Sequence, residues 1–591
     1  MKKLFFIIAL VCMIAPMADE IMLSRGTTGL SIVADQLQQR EKASLVLECN
    51  IHSIFTDEVE TEVGTFTRLS VPGWTNENAV GAPDIPVLTK LIELPRGGEV
   101  SVHVLNEVEA TAVPVKNLVY PTQPSFRKDK TEVPFSFDKD SYFRNERKEV
   151  VKVEEVGILR GSRLVLVQVL PISYDAENNM LAIQSNIQFE LIVENADWEA
   201  THAAKTKYAS SYFRNASTSV MTPASLECSA RGDVHYLIIA ADIFKNSAKL
   251  QEFIAWKESI GFAVKCAFTD ETGATNESIR DYVKATYEGN CPPTFALFVG
   301  DHEEIPGWSK SFYTDLYYFT VDGSDYLPDV MYGRFSARNE EQLAPQVDKT
   351  IAYEKGIFAD ADFLKRYALV AGYDRYWAIK RGYPQIRYAI REYFKEPHYV
   401  ANEMGGNVFL TSTSGENKDK IVALVNSGVG FFNYTAHGDV TYFCDPAFRP
   451  TDIDNLTNKN MYTVVLANCC LTGSFQADTC FGEKWLRAKD KGAIAFIGGS
   501  SYTYWNEDFW FGIGTCTITS SVDAGNPPAK EETGDGTYDA VMQKDYDNCN
   551  FALIIGGNLA VEASNTSRKE YYWKVYHLFG DPSVKPVWAN K

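Results

Sequence analysis

A chain of 591 residues, 45% of them hydrophobic, can bury large cores and has the length of roughly three to four domains of ~150 residues. Its formal charge of −20 excludes a nucleic-acid partner, which would need a basic footprint. Eleven cysteines are too sparse for a disulfide framework, and no C-x-x-C pair or H-E-x-x-H stretch supports a zinc site.

The chain opens with Lys2 and Lys3, the apolar run Leu4 to Leu10, and Ala18 ahead of Asp19 and Glu20. A charged start, a short apolar core and a small residue at a cleavage point predict a signal peptide over residues 1–18. Val11 stands where a lipoprotein signal has a small residue, so Cys12 does not read as a lipid anchor. No later stretch has the ~20 apolar residues of a membrane span. From Ala43 to about Asn195, stretches such as GEVSVHVLNEVEATAVPV, EVVKVEEVGILRGSRLVLVQVLPISYD and MLAIQSNIQFELIVEN alternate apolar and polar residues between turn formers. That pattern predicts an antiparallel all-β domain. Residues 197–231 are rich in Ser, Thr and Ala, weakly patterned, and read as a linker.

After Asp233 the pattern changes. HYLIIAA is followed by AKLQEFIAWKESIG, whose Leu250, Phe253, Ile254 and Lys257 have helical spacing, and then by FAVKCAF. Apolar strands alternating with helices predict an α/β fold, a mostly parallel sheet sandwiched by helices, in two subdomains of about 232–360 and 361–591. Catalytic groups in such sheets gather at the carboxyl ends of the strands.

Two of those strands organise the rest. GVGFFNYTAHGD delivers His437 to a turn, and MYTVVLANCCLTGSF delivers Cys469 and Cys470 to another. A third strand end carries Asp374, and a fourth leads to Trp505 and Asp508. A thiol attacks a carbonyl well only as a thiolate, so it needs an imidazole within reach. The second ring nitrogen needs an acceptor such as Asp374, and the oxyanion needs backbone N–H donors, which the turns at Gly438 and Cys470 can supply. Taken singly, a histidine is more often a satisfied or surface residue, a cysteine a small buried hydrophobe, and a strand-end Asp a helix cap. Their combination in this topology predicts peptide hydrolysis through a thioester acyl-enzyme.

The blocks NYTAHG, LANCCLTGSF, CFGEKWLRAKDKGAIAFIG, SYTYWNED and YYWKVYHLFGDPSV resemble the gingipains, a family of caspase-like bacterial cysteine proteases, and its lysine-specific branch most closely. The likeness runs from about Val234 to Trp588, and the β-rich front half stands where the family carries an inhibitory prodomain. The resemblance implies Cys470 as nucleophile, His437 as its partner and Asp374 as the carboxylate that orients the histidine. It places Asp508 at the end of the lysine pocket, with Thr435 as a second contact and Tyr504 and Trp505 as aromatic walls. Asn468, at the strand end before the cysteines, is expected in the substrate site. Arginine-specific relatives carry their pocket acid where this chain has Gln385. The chemistry needs no cofactor. Relatives bind structural calcium through oxygen ligands, and no ligand set can be matched here.

An apolar channel ending in a carboxylate suits a lysine side chain, methylenes and ammonium alike. The resemblance also implies a zymogen whose own prodomain is the inhibitor. Processing is expected near Arg231, by an activating protease in trans, because a lysine-specific enzyme cuts poorly after arginine. A lysine of the front half, Lys128 or Lys130 in RKDKTEVP, would itself fit the pocket. Export implies a secreted, periplasmic or surface location in a bacterium; the sequence stops three residues after Trp588, short of the further domains that members usually carry. Two alternatives stand beside the endopeptidase acting on proteins and peptides: an envelope processing protease or transpeptidase of other specificity, and a catalytically silent binding module.

Overall fold

The computed structural model describes residues 18–38, 43–77, 79–129, 134–143, 149–228, 232, 234–309, 311–399, 408–543 and 548–588. All but the last residue of the predicted signal peptide, together with Lys130 and Arg231, therefore lie outside the described residues. Among the described residues, no helix is long and apolar enough to cross a membrane.

The C-terminal part is built on a ten-stranded sheet. Its strands are β1 (Val234–Ala240), β2 (Phe262–Phe268), β3 (Phe295–Val299), β4 (Met331–Phe335), β5 (Tyr367–Ala371), β6 (Val408–Leu410), β7 (Phe431–Thr435), β8 (Thr463–Asn468), β9 (Ala493–Gly499) and β10 (Tyr576–Gly580). They lie in the order β2-β1-β3-β4-β10-β9-β8-β7-β5-β6. Every neighbouring pair is parallel except β9 and β10. Two parallel half-sheets of opposite direction therefore meet at β10, a strand that arrives late in the chain. The strands read as unbroken apolar runs because helices cover such sheets on both faces: β3, β5, β7, β8 and β9 are buried at every position. The predicted helix around Leu250 spans Ala248–Ser259, capped by Ser247, with Leu250, Phe253 and Lys257 buried.

The front part is β-rich and its sheets pair antiparallel. One has the strand order Gly29–Gln36, Ala43–Asn50, Asn186–Glu194, Glu99–Glu107. Alternation works as expected there, with Leu45, Leu47 and Cys49 buried in the domain's own core beside Phe189 and Leu191. The strand Ser162–Val169 departs from that reading. Val165, Val167 and Val169 enter the front domain's core, whereas Leu164 and Leu166 enter the core shared with the ten-stranded sheet's helices. The run is apolar throughout because both of its faces are covered.

Residues 197–231 correct the linker reading. Trp198–Tyr208 and Ser211–Ala216 are helices, the first capped by the Asp197 carboxylate, which accepts from Ala200 N–H at 2.8 Å. Tyr208 stacks on Tyr287 of the C-terminal part at 4.3 Å between ring centres, and Phe213 is buried in the shared core. The helices were hidden by a composition of small and hydroxyl residues that gives almost no apolar periodicity, so that packing rather than sequence pattern holds them.

Candidate active site

The parallel half-sheet β9-β8-β7-β5-β6 turns its carboxyl ends to one edge. Register places Ala371 beside Thr435 and Thr435 beside Asn468, so the loops leaving β5, β7 and β8 start side by side. Those loops carry Asp374, His437 and Cys470. His437 Nε2 lies 2.7 Å from Asp374 Oδ2, with both side chains nearly buried. The other carboxylate oxygen of Asp374 accepts from Tyr376 N–H and Trp377 N–H at 2.8 and 2.7 Å. Burial pushes the Asp374 carboxyl up, but the hydrogen bonds from His437 and the two N–H groups outweigh it and hold it below the usual carboxylate range. The Trp505 ring stands edge-on to His437 at 5.6 Å.

Cys470 is buried, and its Sγ accepts from Thr503 N–H at 3.3 Å. Burial pushes its thiol up to about 12, against the smaller opposing effects of Thr503 and the Lys128 ammonium. Leu471 follows in the left-handed region with φ of 63°, uncommon for such a side chain, and turns the chain sharply after the cysteine. Cys469 is also a free thiol, directed at Thr472 Oγ1 at 3.6 Å. Gly438 packs against this turn so closely that a Cβ would stand 2.4 Å from Cys470 O and 2.7 Å from Cys469 Sγ. Only glycine fits there.

A segment of the front domain fills the site. Lys128 N–H donates to Thr503 O at 2.8 Å, Trp505 N–H donates to Phe126 O at 2.9 Å, and Arg127 pairs antiparallel with Tyr504. Lys128 and Asp508 have no exposed side-chain surface, and Lys128 Nζ lies 2.7 Å from Asp508 Oδ2. Nζ also donates to Asn468 O at 2.9 Å and Thr435 Oγ1 at 3.3 Å, and sits 4.4 Å from the centre of the Trp505 ring. The Lys128 carbonyl oxygen is 2.5 Å from His437 Nδ1. Asp508 lies in the first turn of α1 (Trp505–Ile513), and its Oδ1 accepts from Tyr572 and Tyr576 hydroxyls at 3.0 and 2.7 Å.

Residues 229–587 match Peptidase family C25, and residues 34–215 match its propeptide family, Propeptide_C25. The chain belongs to peptidase family C25. Among C25 relatives, Lys-gingipain HG66 of Porphyromonas gingivalis is 34% identical over 560 residues, which cover 90% of this chain and 32% of that protein. Gingipain R1 of the same organism is 25% identical over 495 residues, 79% of this chain and 48% of that one. The chain thus spans about a third of the length of the Lys-gingipain that it matches. A solved structure titled "Structure of Protease" superposes with a TM-score of 0.55 at 34% identity, over 60% of this chain and 79% of that one. A complex of Porphyromonas gingivalis RgpB pro- and mature domains gives a TM-score of 0.50 at 22% identity, over 60% and 79% of the two chains, a likeness of fold.

Within this C25 site the structure brings together Asp374, His437, Cys470, Gly438, Thr435, Asn468, Trp505 and Asp508. Two placements differ from expectation. Asn468 contributes its backbone carbonyl to Lys128, while its side chain bonds to Gln385, Asn433 and Tyr576. Tyr504 pairs with the pro-segment through its backbone, and its ring faces the Arg568 guanidinium at 3.8 Å rather than the lysine. Gln385 lies directly behind Asn468, one layer from the lysine. The sequence reading missed Tyr572 and Tyr576, whose run YYWKVY looks like ordinary apolar filling, and Thr503, which acts through its backbone and leaves no side-chain signal. Among the described residues no three His, Cys, Asp or Glu side chains converge as around a metal ion.

Proposed function

We propose that the chain is the latent form of an exported cysteine endopeptidase that cuts after lysine and is held inactive by its own pro-segment. The observation that carries this reading is Lys128, whose ammonium is paired with Asp508 out of water, between an aromatic face and two oxygen acceptors. A compact cation in such a place is tolerated only because the carboxylate is there. The lysine specificity in the names of the relatives agrees with this pocket.

In the open site a substrate lysine takes the place of Lys128. His437 Nδ1 takes the proton of Cys470 Sγ, and the thiolate attacks the carbonyl carbon while the C=O electron pair moves onto oxygen. The N–H groups of Gly438 and Cys470 face that oxyanion. The intermediate collapses to a thioester as the C–N bond breaks, His437 returns the proton to the leaving amine, and water then hydrolyses the thioester. Asp374 keeps the imidazole oriented throughout. The Lys128 carbonyl also occupies His437 Nδ1, the nitrogen that must take the thiol proton, so the pro-segment blocks the base as well as the pocket. Activation then requires a cut near Arg231 by an arginine-specific protease in trans and departure of the front domain.

The test is turnover of peptidyl-Lys, peptidyl-Arg and peptidyl-Asn amides by the processed chain, with Cys470→Ala as control. Lys substrates are expected to be cleaved selectively, and Asp508→Asn to lower their kcat/KM by about 100-fold or more, the factor for a buried charge that loses its partner. An unchanged lysine preference in Asp508→Asn overturns the pocket. No turnover on any of the three favours the binding module.

A further inference from the structure

Ahead of the lysine the pro-segment makes one isolated bridge, from Arg127 to Tyr504, and its residues each meet a defined surface. With Lys128 at the P1 position, Arg127 stands at P2, Phe126 at P3 and Ser125 at P4. The Arg127 guanidinium lies over the Tyr502 ring at 4.3 Å, and the Phe126 ring packs on Trp377 at 4.3 Å between centres. The fourth contact is of another kind. The Ser125 hydroxyl donates to Oε2 of Glu507, a carboxylate with no exposed surface. Glu507 immediately precedes Asp508 in the first turn of α1, so the P1 and P4 contacts are fixed by one rigid element. Its other oxygen, Oε1, accepts from Thr566 Oγ1 at 2.8 Å, and Arg568 Nε stands 3.7 Å away.

We propose that Glu507 is a second specificity-determining residue, which selects a hydrogen-bond donor, a serine or threonine hydroxyl, at P4 of the substrate. A buried carboxylate oxygen that loses its donor is left unsatisfied, so a substrate that restores the bond is favoured over one that does not. Thr566 occupies one oxygen from within the enzyme. The oxygen served by Ser125 is the one vacated when the pro-segment leaves. A P4 lysine or arginine is disfavoured by the same geometry, because Arg568 already supplies positive charge on this side and the P4 side chain reaches the oxygen with a single short arm. This inference rests on the lysine-cleaving reading, and the experiment separates the two.

Processed chain is assayed on Xaa-Phe-Arg-Lys amides with Xaa Ser, Thr, Ala or Lys. The expected result is a kcat/KM for Ser or Thr about tenfold above that for Ala, the ratio for one charge-assisted hydrogen bond. In Glu507→Gln that ratio falls to about twofold, because a neutral acceptor remains. In Glu507→Ala it falls to one. Equal rates for Ser and Ala in the unsubstituted enzyme, with lysine still required at P1, overturn the inference and leave the P1 reading standing. Absence of cleavage after any lysine overturns the P1 reading instead. Calorimetric binding of Ser-Phe-Arg-Lys and Ala-Phe-Arg-Lys to processed Cys470→Ala then decides the P4 contact without turnover: equal affinities overturn it, and a tenfold difference supports it.

Discussion

Lys128 and Asp508 hold each other's charge in a place without water, and a buried charge that loses its partner costs about 3–5 kcal/mol. Lys128→Ala in the intact chain should therefore loosen the pro-segment, and Cys470 is the reporter. Burial pushes its thiol up to about 12, so the closed site disfavours the thiolate that alkylation requires. Alkylation of Cys470 by iodoacetamide, followed by mass spectrometry, is expected to be slow in the intact chain and at least tenfold faster in Lys128→Ala at the same pH. Equal rates would mean that the lysine does not hold the site closed. His437 and the two thiols could be read from the sequence because apolar strands run straight into them. Asp508 was reached only through the family resemblance, since an acidic pair in a turn looks like solvated surface until its neighbours are known. The tyrosines that hold it, Tyr572 and Tyr576, lie outside that stretch, and no local pattern links them to it.

The front domain grips the enzyme part at a second element. The hairpin between Val151–Leu159 and Ser162–Val169 turns through Arg160 and Gly161, both at positive φ, of 46° and 81°. At its tip the buried Arg160 donates to Pro293 O at 2.7 Å, Asp329 O at 2.9 Å, Tyr208 O at 3.0 Å and Thr294 Oγ1 at 3.1 Å. Pro293, Thr294 and Asp329 lead into β3 and β4, neither of which belongs to the candidate site, whereas Tyr208 lies in the front half itself. Arg160→Ala should weaken retention of the cleaved front domain by about 100-fold, the equivalent of about 3 kcal/mol in buried charge-assisted bonds. Residual inhibition on dilution of the processed complex measures this, and an unchanged dissociation constant would show the tip to be incidental. Element type was legible wherever one face is wet, as in Ala43–Asn50. It held for Ser162–Val169 too, although that strand is covered on both sides rather than wet on one, and it failed for Trp198–Tyr208, where small residues leave no periodic signal.

Across the whole molecule, pH acts on the front domain through Asp84. Burial pushes its carboxyl up to about 7, with Glu77 adding to the shift and Thr122 and Arg68 opposing it. The folded state thus favours the neutral carboxyl. The stability from that preference is complete below the ordinary carboxylate range near 4 and is lost as pH rises toward 7. Asp84→Asn should therefore leave the melting temperature of the intact chain little changed near pH 4 and raise it progressively relative to the parent up to pH 8. A difference independent of pH would exclude Asp84 as the group responsible.

The position of β10 also sets an order of events. Tyr576–Gly580 joins the two half-sheets, and Tyr576 holds Asp508, so the pocket is incomplete until this segment arrives. The last strand of the front domain, Asn186–Glu194, leaves the ribosome far earlier. At ordinary rates of synthesis the interval is about 20 to 80 s, long against the folding of a small β domain. Every strand of the front domain is therefore synthesised before the segment that completes the pocket its lysine will fill.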